Sequence, residues 1–173
     1  MWESIHSFLS AIPGWLRRER GAGARPQGRQ SRNWEPSPRI PIVALVVSDQ
    51  DRKVLADISA EHLLDVHFAK SCDETWNVTH RLNAPVVVVD RDWPQAEWRA
   101  VVHSLASLPQ RACVILISAV ADEYLWQELV RCGGYDTLAK PLRAGEAARA
   151  LKLALSYWSL ASSAVAPGPN SAK

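Results

Sequence analysis

The chain has 173 residues, a formal net charge of +2 and 47% hydrophobic residues. This length suits one domain with tails, and so small a net charge gives no reason to expect a nucleic-acid partner. The longest apolar runs have the length of strands, so we expect no membrane-spanning helix. The first residues lack the positive region and the cleavage site of a signal peptide. We therefore expect a cytoplasmic protein.

Residues 1–39 form an N-terminal extension of distinct composition. Apolar residues recur there at helical spacing before Pro13, and an arginine- and glycine-rich stretch follows. This pattern predicts a short amphipathic helix and then a basic low-complexity linker. An apolar helical face beside a basic tract suits docking on an anionic membrane or on a partner, so peripheral membrane contact through residues 1–32 is one expectation. The other is a helix packed loosely on the domain, or a disordered leader.

Residues 40–160 alternate strand-like and helix-like segments five times. The predicted strands are 42–47, 65–69, 86–89, 113–117 and 137–139. The first helix is expected to begin near Asp51 as its N-cap, and the other predicted helices are 73–82, 96–108, 123–132 and 144–160. Alternating β and α segments predict an α/β fold, a doubly wound five-stranded parallel sheet with helices on both sides. Residues 161–173 are expected to form a disordered tail.

Three polar residues end predicted strands in the order Asp90, Ser118 and Lys140. Sites in open α/β sheets form beyond the carboxyl ends of the strands, so we expect these side chains to converge. A carboxylate can accept a phosphoryl group covalently, and a hydroxyl and an ammonium group can bind its oxygens. The order therefore predicts a phosphoryl site at this edge of the sheet.

Four stretches in this order resemble the CheY-like receiver domain of bacterial two-component response regulators; they are 46–51, 86–94, 114–119 and 133–141. The resemblance implies that Asp90 is the phosphoacceptor. It further implies that Ser118, Ala119 and Lys140 form the phosphate-binding and switch positions. A weakly held Mg²⁺ is implied at Asp49, Asp90 and Asp92, with Asp92 supplying its backbone carbonyl.

The resemblance also implies a signalling role without enzymatic activity, and hence no catalytic residues. A stand-alone receiver in phosphorelay signal transduction would take its phosphoryl group from a histidine kinase or a phosphotransfer protein. It would pass the signal to an unknown output protein by protein–protein contact, on the face made by helix four, strand five and helix five. The stretch after helix five is too short for an effector domain.

Two departures from the receiver pattern favour an alternative function. Receivers carry two adjacent acids after strand one, whereas this chain has Ser48-Asp49 or, one position later, Asp49-Gln50. A missing carboxylate predicts weak Mg²⁺ binding, and phosphoryl transfer depends on that ion. Thr137 also stands where many receivers have an aromatic switch residue. The alternative is a pseudo-receiver that acts as a phosphorylation-independent interaction module.

Other chemistries have less support in the sequence. The three cysteines show no CxxC spacing, which indicates reduced, mostly buried thiols, and no GxGxxG or GxxxxGK[ST] motif is present. The Asp90-Arg91-Asp92 triplet resembles the nucleophile motif of haloacid dehalogenase-type phosphohydrolases. Those enzymes need an acidic pair after the lysine, and Glu146 is the only acid after Lys140.

Overall fold

The computed structural model describes residues 39–165; the predicted amphipathic helix, most of the basic linker and residues 166–173 lie outside the described residues. Five strands and five helices alternate along the described chain. The strands are β1 Ile40–Leu45, β2 Leu64–Phe68, β3 Val86–Asp90, β4 Cys113–Ser118 and β5 Asp136–Ala139. The helices are α1 Asp49–Glu61, α2 Cys72–Leu82, α3 Trp98–Ala106, α4 Glu123–Arg131 and α5 Ala144–Val165.

The five strands form one parallel sheet in the order β2-β1-β3-β4-β5. The predicted doubly wound parallel sheet is confirmed. Leu45, the last residue of β1, pairs with Val89, so Val46, directly after β1, is level with Asp90. Because all strands run the same way, their carboxyl ends lie at one edge.

Alternate residues of the central strands enter two separate cores. On one face, Ile42 and Val46 pack with Leu151 of α5. On the other face, Val43 and Val87 pack among side chains of α3 and α4. The runs of β3 and β4 are apolar without alternation because both faces of these strands are covered by helices.

The N-cap of helix α1 lies three residues earlier than predicted, and the prediction that Asp51 is this N-cap is wrong. The N-cap is Ser48, whose hydroxyl accepts a hydrogen bond from the Asp51 N–H at 3.3 Å. Asp51 is the third residue of the helix and lies on the same buried face as Leu55 and Ile58. Its Oδ1 accepts a hydrogen bond of 2.7 Å from the Leu142 N–H, so it joins α1 to the loop before α5.

Helix α5 continues to Val165, so the prediction of a disordered tail is wrong for residues 161–165. Alanine has the highest helix propensity, and this last part of the helix contains Ala161 and Ala164. The Ser163 hydroxyl donates to the Ser159 carbonyl at 2.8 Å, one helical turn back. A serine that bonds in this way satisfies its hydroxyl without leaving the helix.

A chain of hydrogen bonds crosses the end of the sheet that lies opposite the carboxyl edge. The Trp158 indole N–H of α5 donates to the Gln110 carbonyl at 2.9 Å. The Gln110 side-chain amide donates in turn to the Thr79 carbonyl of α2 at 3.0 Å. Helices α2 and α5 pack on opposite faces of the sheet, so these bonds connect the two helical layers.

The three cysteines within the described residues are free thiols, but Cys72 and Cys132 are only half-buried, so the prediction of mostly buried thiols holds for Cys113 alone. The Cys113 thiol is buried and donates to the Ala154 carbonyl at 3.6 Å. Burial raises the pKa of this thiol to about 11, so it stays neutral at pH 7. None of the helices in residues 39–165 is long and apolar enough to cross a membrane.

A glycine pair after α4 offers a test of the local backbone. Gly133 has φ of 90°, and a Cβ at this position would lie 2.9 Å from the Ala106 Cβ. We expect Gly133→Ala to lower the free energy of unfolding by about 1–2 kcal/mol, because left-handed backbone disfavours a side chain. Gly145→Ala is the matched control: a Cβ there meets nothing within 4 Å, in the first turn of α5. It should stabilise the protein by up to about 1 kcal/mol, and equal urea midpoints for the two variants would contradict this account.

Candidate functional site

Asp90 lies at the centre of the carboxyl edge of the sheet, at the end of β3. Its side chain is 0% exposed. Oδ2 accepts from the Val47 N–H at 3.1 Å, and Oδ1 accepts from the Asp92 N–H at 3.1 Å. A buried carboxylate needs charge compensation as well as hydrogen bonds.

Lys140 supplies that compensation from the residue after β5. Its Nζ lies 3.0 Å from Oδ1 and 2.9 Å from Oδ2 of Asp90. The Lys140 N–H donates to the Ser118 carbonyl at 2.9 Å, and the following bond to Pro141 is cis. The structure therefore brings Asp90 and Lys140 into direct contact, with both carboxylate oxygens occupied.

Ser118 lies at the same edge, at the end of β4, and is buried. Its hydroxyl oxygen accepts from the Val120 N–H at 3.1 Å and from the Arg91 guanidinium at 3.4 Å. None of the hydrogen bonds described for residues 39–165 joins this hydroxyl to Asp90 or Lys140. Ala119 is exposed in the loop after β4.

Arg91 is a site residue that the sequence interpretation missed. It follows Asp90 directly, and its backbone N–H donates to the Ile117 carbonyl at 3.0 Å. That bond places the guanidinium beside Ser118. The signal in the sequence is the Asp90-Arg91-Asp92 triplet, which places a base between two acids directly after a strand.

Of the three predicted metal ligands, the structure brings Asp90 and Asp92 together but leaves Asp49 apart from them. Asp49 begins α1 as an exposed residue, and no hydrogen bond or ion pair described for residues 39–165 joins it to Asp90. The Asp92 carboxylate is exposed and lies 3.8 Å from Lys140. No group of three His, Cys, Asp or Glu side chains within the described residues could hold a metal ion.

The position of the expected acid pair explains this result. The two residues directly after β1 are Val46 and Val47. The Val46 side chain packs in the core beneath α5, and the Val47 side chain is 49% exposed while its N–H holds Asp90. Ser48 has already passed the strand end and caps α1. Both carboxylates, and not one of them, are therefore missing beside Asp90, and the remaining donors do not fit Mg²⁺, which needs several oxygen ligands.

Val47→Asp should create a divalent-cation site, because the new carboxylate would lie next to Asp90. Two neighbouring negative charges attract a divalent cation more strongly than one does. We expect Mg²⁺ affinity, measured by calorimetry, to rise about tenfold or more. Ser48→Asp is the matched control: aspartate is an equally good N-cap, so the helix start is kept and the affinity should not change. Tighter binding by Ser48→Asp alone would show that the acid pair belongs at residues 48–49.

Solved structures of other proteins are similar to this chain in fold. No protein-family model and no curated protein sequence matches the chain. Among solved structures, the chemotaxis protein CheY4 of Vibrio cholerae matches with a TM-score of 0.61 and 15% identity, over 67% of this chain and 98% of that one. A two-component response regulator of Clostridium difficile matches with a TM-score of 0.57 and 13% identity, over 68% and 97% of the two chains.

NtrX of Brucella abortus is also similar, with a TM-score of 0.64 and 18% identity over 73% of this chain and 29% of the longer NtrX chain. These likenesses agree with the strand order of the sheet. The chain has the flavodoxin-like fold of CheY-like response-regulator receiver domains.

Proposed function

We propose that this chain is a receiver-type signalling domain that acts as a phosphorylation-independent interaction module. The enclosure of Asp90 supports this proposal most directly. Its carboxylate is 0% exposed and each of its oxygens accepts from one backbone N–H and from Lys140, so Lys140 must release an oxygen before that oxygen can attack phosphorus. Val46 and Val47 offer no carboxylate to hold a cation beside it.

In this proposal the buried ion pair fixes one conformation of the carboxyl edge. Asp90 holds the end of β1 through the Val47 N–H and the end of β5 through Lys140. The Lys140 N–H in turn holds the end of β4 at the Ser118 carbonyl. The carboxylate thereby joins the ends of β1, β3 and β5, and the Lys140 backbone adds the end of β4. The loops that leave these strands are positioned for a partner without covalent modification.

The output surface in this proposal is the face made by α4, β5 and α5. Tyr124 and Trp126 of α4 and Tyr157 of α5 are exposed. The rings of Tyr135 and Tyr157 lie 5.3 Å apart and connect the start of β5 to α5. Exposed aromatic side chains of this kind are enriched at protein–protein interfaces, so a cytoplasmic output protein would bind here, and the domain would have no enzymatic activity of its own.

A second candidate function is phosphorelay signalling with Asp90 as the phosphoacceptor. The contact between Asp90 and Lys140, with Ser118 and Arg91 beside them, favours it. In this candidate a histidine kinase or a phosphotransfer protein donates the phosphoryl group, and Lys140 must first release one carboxylate oxygen. The two basic side chains and the Ser118 hydroxyl would then bind the phosphoryl oxygens.

Intact-mass analysis after incubation with acetyl phosphate or phosphoramidate and Mg²⁺ distinguishes the two candidates. We expect no phosphoryl adduct on the full chain, because the nucleophile is enclosed and the donors for the cation are missing. Asp90→Asn is the control for any adduct that forms elsewhere. An adduct on the wild-type chain that disappears in Asp90→Asn would establish the second candidate.

A further inference from the structure

A cationic pocket adjoins the candidate site, and residues 46 and 47 form part of its wall. Its volume is about 330 Å³, and its wall includes Val46, Val47, Arg52, Lys70 and Trp93. Arg52 comes from α1, Lys70 follows β2, and Trp93 belongs to the loop after β3. No acidic residue lines this pocket.

The two cations of the pocket lack counterions within the described chain. Neither Arg52 nor Lys70 forms an ion pair with a carboxylate of residues 39–165. Glu74 accepts a hydrogen bond from the Lys70 backbone N–H at 2.7 Å, but its carboxylate does not pair with the Lys70 ammonium group. The charge of Asp90, behind Val47, is already balanced by Lys140.

Two buried donors without partners belong to the same pocket wall. Across the described residues, the Nε atom of Arg52 and the Nε1 atom of Trp93 are the buried side-chain polar atoms that have no hydrogen-bond partner. Buried donors in native proteins are nearly always satisfied, so these two donors call for an acceptor, and a small turn of either side chain would bring its N–H to the pocket surface. The Arg52 guanidinium is also held in place over the Phe68 ring, 5.1 Å from its centroid.

We propose that this pocket binds a small oxyanion of the phosphate type. Arg52 and Lys70 match the charge of a dianion, and guanidinium, ammonium and indole N–H groups together suit an ion with several acceptor oxygens. The ligand would contact residues 46 and 47, and the Val47 N–H holds Asp90. It would thus act on the carboxyl edge without phosphorylation of Asp90, and the inference stands whichever candidate function holds.

The test is titration of the ¹⁵N-labelled full chain with inorganic phosphate at constant ionic strength, with chloride as the balancing anion. The probe is the indole N–H resonance of Trp93, assigned by its loss in Trp93→Phe. We expect a saturable shift of this resonance. Acetate at the same ionic strength should bind at least about tenfold more weakly, because a carboxylate has fewer oxygens and half the charge.

Charge-neutral variants locate the site. Arg52→Gln and Lys70→Gln should each raise the dissociation constant for phosphate about tenfold or more, since each removes a charged hydrogen-bond donor. Lys53→Gln is the matched control, because Lys53 is an exposed neighbour on α1 that does not line the pocket. If Arg52→Gln does not fold, the dissociation constant of Lys70→Gln tests the proposal alone, because Lys70 is exposed. The proposal is overturned by the absence of a saturable shift, by equal affinity for acetate, or by a Lys53→Gln effect as large as that of Lys70→Gln.

Discussion

Lys140→Met should lower the free energy of unfolding by about 3–5 kcal/mol, the usual cost of leaving a buried charge without its partner. Asp90 would keep only the backbone N–H groups of Val47 and Asp92 as donors, and its side chain is inaccessible to water. The loss should appear in urea denaturation at pH 7 as a lower midpoint with an unchanged slope. No other single substitution at the carboxyl edge is expected to cost as much.

The double variant Asp90→Asn/Lys140→Met is the control for this result. It removes both charges, and the asparagine oxygen can still accept from one backbone N–H. We expect it to be more stable than Lys140→Met alone, so that the double-mutant cycle gives a coupling energy of at least about 1 kcal/mol. A loss below about 1 kcal/mol for Lys140→Met, in the range of solvent-exposed pairs, would mean that the ion pair is hydrated in solution.

Asp51→Ala should cost about 1–3 kcal/mol, the penalty for a buried donor that loses its acceptor. The donor is the Leu142 N–H, which Asp51 accepts at 2.7 Å. Amide hydrogen exchange at Leu142 should become faster in the variant, because the loop between Lys140 and α5 loses its connection to α1. Urea denaturation and exchange measured on the same sample give both effects.

Asp49→Ala is the matched control for this second prediction. Asp49 is an acidic residue of the same helical turn, but it is exposed and has no long-range hydrogen bond within the described residues. Its loss removes only a favourable interaction with the helix dipole, so we expect a cost below about 1 kcal/mol. Unchanged protection of the Leu142 amide in Asp51→Ala would refute the role assigned to Asp51.

The fold and half of the candidate site could be predicted from the sequence, because both depend on local patterns. Runs of valine and isoleucine between helix-periodic segments indicate buried parallel strands. A polar residue at the end of such a run marks the carboxyl edge, and this pattern predicts the positions of Asp90, Ser118 and Lys140. Whether Asp90 accepts a phosphoryl group stays a prediction.

The acid pair was placed wrongly because a β pattern does not mark where strand pairing stops. A strand predicted over residues 42–47 puts Ser48 and Asp49 at the positions after the strand. In the structure pairing ends at Leu45, and Val46 and Val47 occupy the strand end beside Asp90. Valine suits a strand interior and a strand end equally well, so only the register with β3 distinguishes the two.

Asp51 and Arg91 were missed for a different reason. Their roles depend on partners that are distant in the chain. Asp51 bonds to Leu142, which is 91 positions away, and Arg91 bonds to Ser118, which is 27 positions away. Local rules assign Asp51 to a helix start and assign nothing to Arg91. Such partners are defined only once β4 and the loop after β5 have been brought to the same edge of the sheet.

The hydrogen bonds from Trp158 through Gln110 to Thr79 have a mechanical consequence. They fasten α5 to α2 across the amino ends of the strands, far from Asp90. The amino edge is thus joined by side chains from both helical layers, whereas the carboxyl edge is joined by the Asp90–Lys140 pair and the bond from Leu142 to Asp51. We expect a rearrangement of the carboxyl edge to leave the amino-edge bonds in place. A spectroscopic label near Trp158 would stay still and serve as the reference point for distance measurements to the rim.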